Sequence, residues 1–283
     1  MQIGGARLRE EPERPLNNYR RSAEEMDKIL LFIPAYNCEE QIKRTLAQLD
    51  PAVMAFISKV IVVNNQSTDG TEEAVVDFMH AHAGMPVTLL RNRENYGLGG
   101  SHKVAFDYAI EHGFDYVMVL HGDDQGSISD FLPVLAKGYY KKHDCILGAR
   151  FMPGSKLEGY SLFRTFGNIV YDFLFAAVLQ KRIYDLGSGL NMYSVEMLKT
   201  GFYEKFPDNL MFNYVMILAS EYYGHDIKFY PVSWREDDQV SNVKMASQAV
   251  KVLKMLGEYY KDPSVICDDY RDKKIERYEA DPV

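Results

Sequence analysis

Continuous apolar runs alternate with segments of helical periodicity over about the first half of the chain. The runs KILLFIPAY (28–36) and KVIVV (59–63) end in turn-forming polar residues, which is typical of buried parallel strands. Between them Ile42, Leu46 and Leu49 recur at helical spacing. This pattern predicts the order strand, helix, strand.

The same alternation continues as far as the fourth apolar run. A second helix is predicted from Thr71, followed by a strand at 87–92 and a helix at 99–113. The fourth run, YVMVL (116–120), ends just before Asp123. The predicted fold is therefore an α/β protein with a doubly wound, mostly parallel sheet, whose ligands bind beyond the carboxyl ends of the strands.

The second half is less regular, with no repeat or clear linker, so one domain is predicted. Strands are expected at 144–151 and 226–234, and helices around Phe173, at 209–224 and at 243–261. The predicted boundaries are a charged, partly disordered tail at 1–27, a domain at 28–261 and a charged tail at 262–283.

Composition excludes several classes of protein. The net charge of −8 disfavours binding along nucleic acid, because that mode needs basic residues against the phosphates. The three cysteines form no CxxC pair, so we expect no disulfide framework or zinc site, and a reducing cytosol. No signal-peptide core is visible near the start. The clean apolar run 173–179 is shorter than the roughly 20 residues of a membrane span, so we expect no transmembrane helix.

Two adjacent carboxylates, Asp123 and Asp124, follow the fourth strand among glycines. Such a pair suits general acid–base work, a metal site, or a turn with capping acids. Magnesium and manganese commonly take one or two protein carboxylates and complete their shell with substrate phosphates and water. One aspartate at the strand end would therefore suffice for a cation site.

Six motifs in register carry a family resemblance across about 28–244. In chain order they are IPAYNCEEQI, VVNNQSTDGT, NYGLGGSHKVAF, VLHGDDQG, LGARF and DLGSGLNMYS. With these motifs the chain resembles inverting family 2 glycosyltransferases of the GT-A fold, and it looks most like the dolichol-phosphate mannose synthase and polyprenyl-phosphate branch.

The resemblance implies a nucleotide-diphosphate-sugar donor lying across the strand ends of 28–126. Asp123 matches the second aspartate of the family's DxD motif, which implies a Mg²⁺ or Mn²⁺ ion bridging the donor phosphates. His121 stands where the first aspartate is usual and is an alternative metal ligand. The donor-binding residues implied are Pro34, Ala35, Tyr36, Glu39, Asn64, Asn65, Lys103, Gly122, Asp124 and Gln125.

The resemblance also implies an acceptor half at 127–242. Arg150 and Arg164 match arginines that hold the acceptor phosphate, a role that suits the planar guanidinium fork. The other acceptor-side residues implied are Asn168, Asp185, Ser188 and Gly189.

A late segment, WREDDQVSN, resembles the family's R-x-x-x-x-S-K loop that closes over the diphosphate. Arg235 and Ser241 match, whereas Asn242 replaces the lysine and Lys244 follows. Asp208 lies near the position of a catalytic base for hydroxyl acceptors, although its other reading is a helix cap.

The final helix has an apolar stripe made of Ala246, Ala249, Val250, Leu253, Leu256 and Tyr260, with lysines beside it. It is interpreted either as a core-facing helix or as one that lies on an anionic membrane. The resemblance implies that the acceptor is a polyprenyl phosphate or lipid-linked glycan at the cytosolic membrane face. A soluble acceptor, a catalytically degenerate nucleotide-sugar-binding protein and homo-oligomer formation remain open.

Overall fold

An eight-stranded sheet forms the centre of the protein in the computed structural model, which describes residues 26–236 and 245–283. The strands are β1 (Ile29–Ala35), β2 (Lys59–Asn64), β3 (Val87–Asn92), β4 (Tyr116–Leu120), β5 (Cys145–Ala149), β6 (Lys156–Glu158), β7 (Leu190–Ser194), β8 (Ile227–Pro231), β9 (Ser233–Arg235) and β10 (Ala280–Pro282). The order across the large sheet is β10-β3-β2-β1-β4-β7-β5-β8, and β6 pairs separately with β9.

Helices cover both faces of this sheet. They are α1 (Glu39–Ala47), α2 (Pro51–Met54), α3 (Thr71–Ala81), α4 (Gly97–Glu111), α5 (Leu132–Ala136), α6 (Leu162–Leu179), α7 (Val195–Leu198), α8 (Phe212–Tyr222) and α9 (Met245–Lys261). Short 3₁₀ turns lie at Ile128–Phe131, Tyr139–Lys142 and Pro263–Cys267.

Strands β1 to β4 are parallel, as the alternating pattern predicts. Strand β7 is antiparallel to both β4 and β5, and this strand was not predicted. Because β7 runs the other way, its first residues lie at the same sheet edge as the carboxyl end of β4. The predicted α/β class with a mostly parallel sheet is confirmed.

The central strand β1 is buried on both of its faces. Leu30 and Phe32 pack into one hydrophobic cluster and Leu31 and Ile33 into the other, and all four are 0% exposed. This two-sided burial explains why the run carries no polar alternation.

The segment 262–283, predicted to be a charged tail, packs on the fold instead. Strand β10 extends the sheet antiparallel to β3. Arg93 donates to Glu279 and Asp281, and the Tyr278 side chain is buried. Several of the charges that suggested a tail are therefore paired with residues of the fold, such as Arg93 just after β3, and the sequence does not reveal these pairings.

Helix α6 is longer than the sequence suggested. Leu162–Leu179 has a mean hydropathy of 1.4, and by length and composition it could cross a membrane. The expectation of no transmembrane helix rested on the short run 173–179, with Asp172 taken to interrupt it, and it stays a prediction because length and composition alone do not show a membrane span. Asp172 lies on the inner, buried side of α6, so it does not interrupt the outer face.

Helix α9 packs on the protein through a face that shares only Leu256 with the described part of the predicted stripe. Val252, Met255, Leu256 and Tyr259 are buried. Most of the described part of the predicted stripe is exposed instead, namely Val250, Leu253 and Tyr260. The predicted stripe is therefore not the core face of this helix.

Candidate active site

Backbone hydrogen bonds join the ends of β1 and β4 and the start of β7 at one edge of the sheet. Gly122 N–H donates to Pro34 O at 3.0 Å, and His121 N–H donates to Gly189 O at 3.0 Å. A Cβ on residue 122 would lie 2.9 Å from the Pro34 oxygen, so only glycine allows this approach. Predicted donor-side and acceptor-side residues thus meet here.

Asp123 is the carboxylate at the centre of this edge. It retains some exposed surface, but burial raises the pKa of its carboxyl group to about 6. The Gln125 N–H, which donates to Asp123 Oδ1 at 3.3 Å, and the positive charge of Arg150 act in the opposite direction. A carboxyl group with a perturbed pKa at a sheet edge is a candidate functional group.

The His121 side chain is neutral and packs against the acceptor-side loop. Burial, aided by the charge of Arg150, lowers its pKa to about 4. A Cβ on Gly189 would lie 2.6 Å from His121 Cγ, so glycine is required at the start of β7. Among the residues that the structure describes, none forms a hydrogen bond with the buried His121 Nε2.

The residues at this edge fit a cation that is held jointly with a substrate. Within 26–236 and 245–283, no group of three or more His, Cys, Asp and Glu side chains could hold a metal ion. Asp123 offers one carboxylate, and His121 offers a neutral imidazole with an unsatisfied buried nitrogen. One or two protein ligands suit magnesium or manganese when phosphates complete the shell, but they do not suit a closed structural site.

Arg150 is a buried cation fixed by Asp185. Its Nε and NH2 donate to the two carboxylate oxygens of Asp185, each at 2.7 Å, and its backbone N–H donates to Oδ2 at 2.8 Å. Its guanidinium carbon lies 5.0 Å from the ring centroid of Trp234. The same carboxylate accepts from Gly187 N–H at 2.9 Å, so Asp185 orients both the arginine and the acceptor loop.

Two other acceptor-side residues, Arg164 and Asn168, form a cluster with Tyr160 at the start of α6, and Ser188 lies in the loop before β7. Arg164 pairs with Glu236, and its guanidinium carbon lies 5.3 Å from the centroid of the Tyr160 ring. Asn168 Nδ2 donates to Tyr160 OH and to Arg164 O, each at 2.9 Å. Ser188 is buried and its Oγ accepts from a backbone N–H, so it shapes the loop. Phosphate binding by these residues stays a prediction.

Asp124 binds two arginines, one of which the sequence did not indicate. Arg44 Nε donates to Asp124 Oδ2 at 2.6 Å, and Arg235 NH2 donates to the same oxygen. Gln48 Nε2 donates to Oδ1 at 3.2 Å. Arg44 and Gln48 lie on and just after α1, and their i, i+4 spacing was the only sequence signal that they share a face. Asp124 therefore holds the side chains of Arg44, Gln48 and Arg235 in place. The contact with the donor that was predicted for Asp124 stays a prediction.

Lys103, predicted to bind the donor, and Asp208, predicted as a candidate base, pair with each other inside the fold. Lys103 Nζ donates to Asp208 Oδ1 and to Phe206 O, each at 2.7 Å, and both side chains are buried. Asp208 Oδ1 also accepts from Tyr278 OH at 2.6 Å, and Oδ2 accepts from Lys273 N–H at 2.8 Å. These contacts favour a structural role for both residues, and phosphate binding by Lys103 and base catalysis by Asp208 stay predictions.

The asparagines after β2 serve the local fold. Asn64 Nδ2 donates to Glu72 Oε2 at 2.7 Å, and its Oδ1 accepts from Ser67 N–H at 2.9 Å. Asn65 Oδ1 accepts from Asn92 Nδ2 at 2.9 Å. Both amides are buried and shape the strand-end loop, so a direct contact with the donor stays a prediction.

At the end of β1, Tyr36 and Glu39 remain accessible. Tyr36 is 47% exposed, whereas Ala35 before it is buried. The Glu39 carboxylate lies against Gly70, which comes just before α3. A Cβ on residue 70 would be 2.6 Å from Glu39 Cδ. Base recognition by these residues stays a prediction, as does the role of Gln125. Ser241, Asn242 and Lys244 lie outside the described residues.

The mostly parallel α/β sheet, taken together with the family match and the similar solved structure that follow, identifies a nucleotide-sugar-dependent glycosyltransferase of the GT-A type. The chain belongs to glycosyl transferase family 2, whose family model matches residues 31–202. The enzyme class expected from the motifs is thereby confirmed.

Two relatives act on lipid-linked phosphates, according to their names. The chain is 27% identical to the undecaprenyl-phosphate mannosyltransferase of Micrococcus luteus over 172 residues, which are 61% of this chain and 68% of that protein. It is 23% identical to the UDP-N-acetylglucosamine–dolichyl-phosphate N-acetylglucosaminyltransferase of Methanococcus voltae over 184 residues, 61% of this chain and 72% of the other.

The fold is also similar to a solved structure with a different acceptor. Glucosyl-3-phosphoglycerate synthase from Mycobacterium tuberculosis, in complex with Mn²⁺, UDP-glucose and phosphoglyceric acid, superposes with a TM-score of 0.60. The identity is 16%, and the match covers 83% of this chain and 80% of that chain. At this identity the likeness concerns the fold.

Proposed function

We propose that the protein transfers a sugar, with inversion, from a nucleotide-diphosphate-sugar to a polyprenyl phosphate at the cytosolic face of a membrane. The observation that carries the proposal is the position of Arg150. Its charge acts on Asp123 at the donor edge and on Asp172 of α6. A fixed guanidinium between the predicted donor site and α6 suits an acceptor whose reacting group is a phosphate. The two lipid-phosphate relatives support this choice.

On the donor side, Asp123 and His121 are the residues that would hold Mg²⁺ or Mn²⁺ together with the diphosphate. A cation there supplies Lewis-acid neutralisation of the charge on the departing nucleoside diphosphate. The neutral state of His121 leaves it able to accept or ligate without adding positive charge. Arg235, held at the edge of the site by Asp124, is the side chain that would contact the diphosphate.

On the acceptor side, the phosphate needs no protein base. A phosphate monoester is ionised at neutral pH, so one of its oxygens can attack the anomeric carbon directly. The new oxygen–carbon bond forms as the bond from that carbon to the diphosphate oxygen breaks, and the nucleoside diphosphate leaves with the electron pair. The engagement of Asp208 in a buried ion pair agrees with a reaction without a base.

The proposal is tested with purified protein, Mn²⁺ and labelled nucleotide sugars, offered undecaprenyl phosphate in detergent or phosphoglyceric acid in water. We expect label to enter the organic phase only with the lipid phosphate, and more slowly with Arg150→Gln than with wild type. The Arg150→Gln variant should bind nucleoside diphosphate as wild type does, because Arg150 belongs to the acceptor side.

Sugar transfer to phosphoglyceric acid, with no transfer to undecaprenyl phosphate, would show that the acceptor is a soluble molecule and not a lipid. Binding of nucleotide without turnover of any donor, and without any effect of Mn²⁺, would indicate a binding protein that lacks catalysis. In either case the proposed acceptor role of Arg150 would be abandoned.

A further inference from the structure

The outer face of α6 is an exposed apolar surface, called here the α6 face. Its large side chains are Leu162, Phe163, Phe166, Ile169, Val170 and Phe173. Four of them retain most of their surface in contact with solvent: 87% for Leu162, 76% for Phe163, 67% for Phe166 and 71% for Phe173. Their spacing of three and four residues places them along one side of the helix.

The α6 face carries no charge along its length. The charged residues of α6 are Arg164 and Asp172. Arg164 is paired with Glu236 and packs over Tyr160, and Asp172 is only 6% exposed. Apart from Asp172, the inner side of the helix is apolar as well, with Phe175 in the core, so the helix is hydrophobic over most of its circumference. Helices of that kind belong in a protein interior or in contact with lipid.

The elements next to α6 carry exposed basic side chains, in a protein whose net charge is −8. Arg182 is exposed just beyond the end of α6. Helix α9 packs against α6 and exposes Lys251, Lys254 and Lys261. Glu258 is the one acidic residue among the described side chains of α9. Positive charge beside an apolar face matches the chemistry of an anionic membrane surface.

We propose that the α6 face docks on a bilayer that contains anionic phospholipid, with α6 lying in the plane of the interface. The helix is about 27 Å long at 1.5 Å per residue, and its exposed aromatic side chains would enter the boundary between headgroups and acyl chains. Arg164 and Asn168 lie on the same helix, so docking would bring the acceptor side of the site to the membrane. This inference rests on the proposed function for its purpose, but its surface is independent of catalysis.

A second copy of the chain fits the α6 face less well. A two-fold contact would bring the same patch of both copies together, with the lysines of each α9 close to those of its partner. Like charges at an interface oppose association, whereas anionic headgroups attract them. The charge distribution therefore favours lipid as the occupant.

The test is flotation of the chain of 283 residues with vesicles of phosphatidylcholine alone or with phosphatidylglycerol added. The test variant is Phe166→Ser with Phe173→Ser. The control is Tyr222→Ser, which changes a 41% exposed aromatic residue on α8. We expect wild type and control to float with anionic vesicles and less at high salt. The test variant should lose roughly tenfold or more in partition coefficient, which corresponds to about 1.4 kcal/mol.

Equal flotation of the test variant and wild type would overturn the proposal. So would a wild-type protein that floats with neither kind of vesicle. A dimer by size-exclusion light scattering that the test variant alone loses, without lipid binding, would assign the α6 face to self-association. Nucleoside diphosphate should shift the melting temperature of both variants as it does wild type, which shows that they are folded. Sugar transfer in detergent without flotation would reject the docking surface alone, and flotation without transfer would reject the proposed function alone.

Discussion

The carboxylate of Asp124 holds the guanidinium of Arg235 at the edge of the candidate site. Arg235 Nε donates to the Asp124 backbone oxygen at 2.9 Å, and its NH2 donates to the side-chain oxygen. Asp124 is 1% exposed and has φ of +58°, a conformation that aspartate adopts more readily than most residues. The aspartate next to the predicted metal ligand thus positions an arginine.

Replacing Asp124 by asparagine should loosen that arginine and weaken the fold. Asn offers the two arginines, Arg235 and Arg44, no negative charge, and we expect a loss of about 1–3 kcal/mol in the free energy of unfolding, measured with urea. Affinity for nucleoside diphosphate should fall as well. Arg44→Gln, which leaves the contact between Asp124 and Arg235 in place, serves as the control and should preserve most of that affinity. Unchanged unfolding of Asp124→Asn would contradict the anchoring role.

Replacing Asp123 by asparagine should abolish turnover and leave the fold intact. The change keeps the shape but removes the charge that would hold the cation. An exposed carboxylate far along the chain provides the control: Asp268→Asn should retain full activity. Mn²⁺-dependent activity in Asp123→Asn close to that of wild type would remove Asp123 from the site.

The pKa of Asp123 also predicts how cation binding depends on pH. Burial raises this pKa to about 6, so the carboxylate becomes protonated as the pH falls through that value. Mn²⁺ binding in the presence of nucleoside diphosphate, followed by calorimetry, should therefore weaken below about pH 6. The terminal phosphate of the nucleotide also titrates at about pH 6, so the residual binding of Asp123→Asn should weaken less than that of wild type. Equal pH dependence in the two proteins would contradict the assignment.

The Lys103–Asp208 pair should stabilise the fold without taking part in catalysis. Lys103→Met leaves the Asp208 carboxylate buried without its cation, at an expected cost of about 3–5 kcal/mol in unfolding free energy. Asp208→Asn added to Lys103→Met should restore part of that loss. The turnover of each folded molecule should change little in Asp208→Asn. A large fall in its turnover number, with stability unchanged, would instead return Asp208 to the role of a base.

Asp172→Asn should stabilise the protein at alkaline pH. Burial, and then the charge of Asp185, raises the pKa of Asp172 to about 8, while Arg150 opposes the shift. Between the ordinary pKa of an aspartate and this value, the unfolded chain releases the proton that the folded chain keeps, so stability falls as pH rises. The asparagine removes this loss, and its gain in melting temperature should be larger at about pH 8 than at about pH 4. An equal gain at both would contradict it.

The sequence was sufficient to predict the first four parallel strands and the residues that follow them. Strand β1 is a continuous apolar run because it is buried on both faces, and such a run is visible without a structure. The placement of Asp123 and Gly122 at a ligand-binding edge followed from strand order alone. The family motifs added the enzyme class, which the comparisons confirm.

Pairings between distant segments could not be predicted in the same way. Lys103 was assigned to a phosphate because a lysine after glycines suits that role, yet its partner Asp208 lies 105 positions away. Arg44 reaches Asp124 across 80 positions, and the last strand finds β3 from the far end of the chain. Side-chain type limits which groups can pair but does not say which ones meet.

Sequence and tertiary structure therefore determine different properties of this protein. The local pattern of apolar residues fixes strands and helices, because each element must bury one face or both, and it places the polar strand ends at a common edge. Tertiary packing decides which charged side chains pair inside the fold and which lie at the site. Asp208 forms an ion pair with Lys103 in the interior, whereas Asp123 lies at the sheet edge. It also decides which apolar surfaces are buried. Helix α9 buries a face that shares only Leu256 with the described part of the predicted stripe, and the outer side of α6 is exposed to solvent.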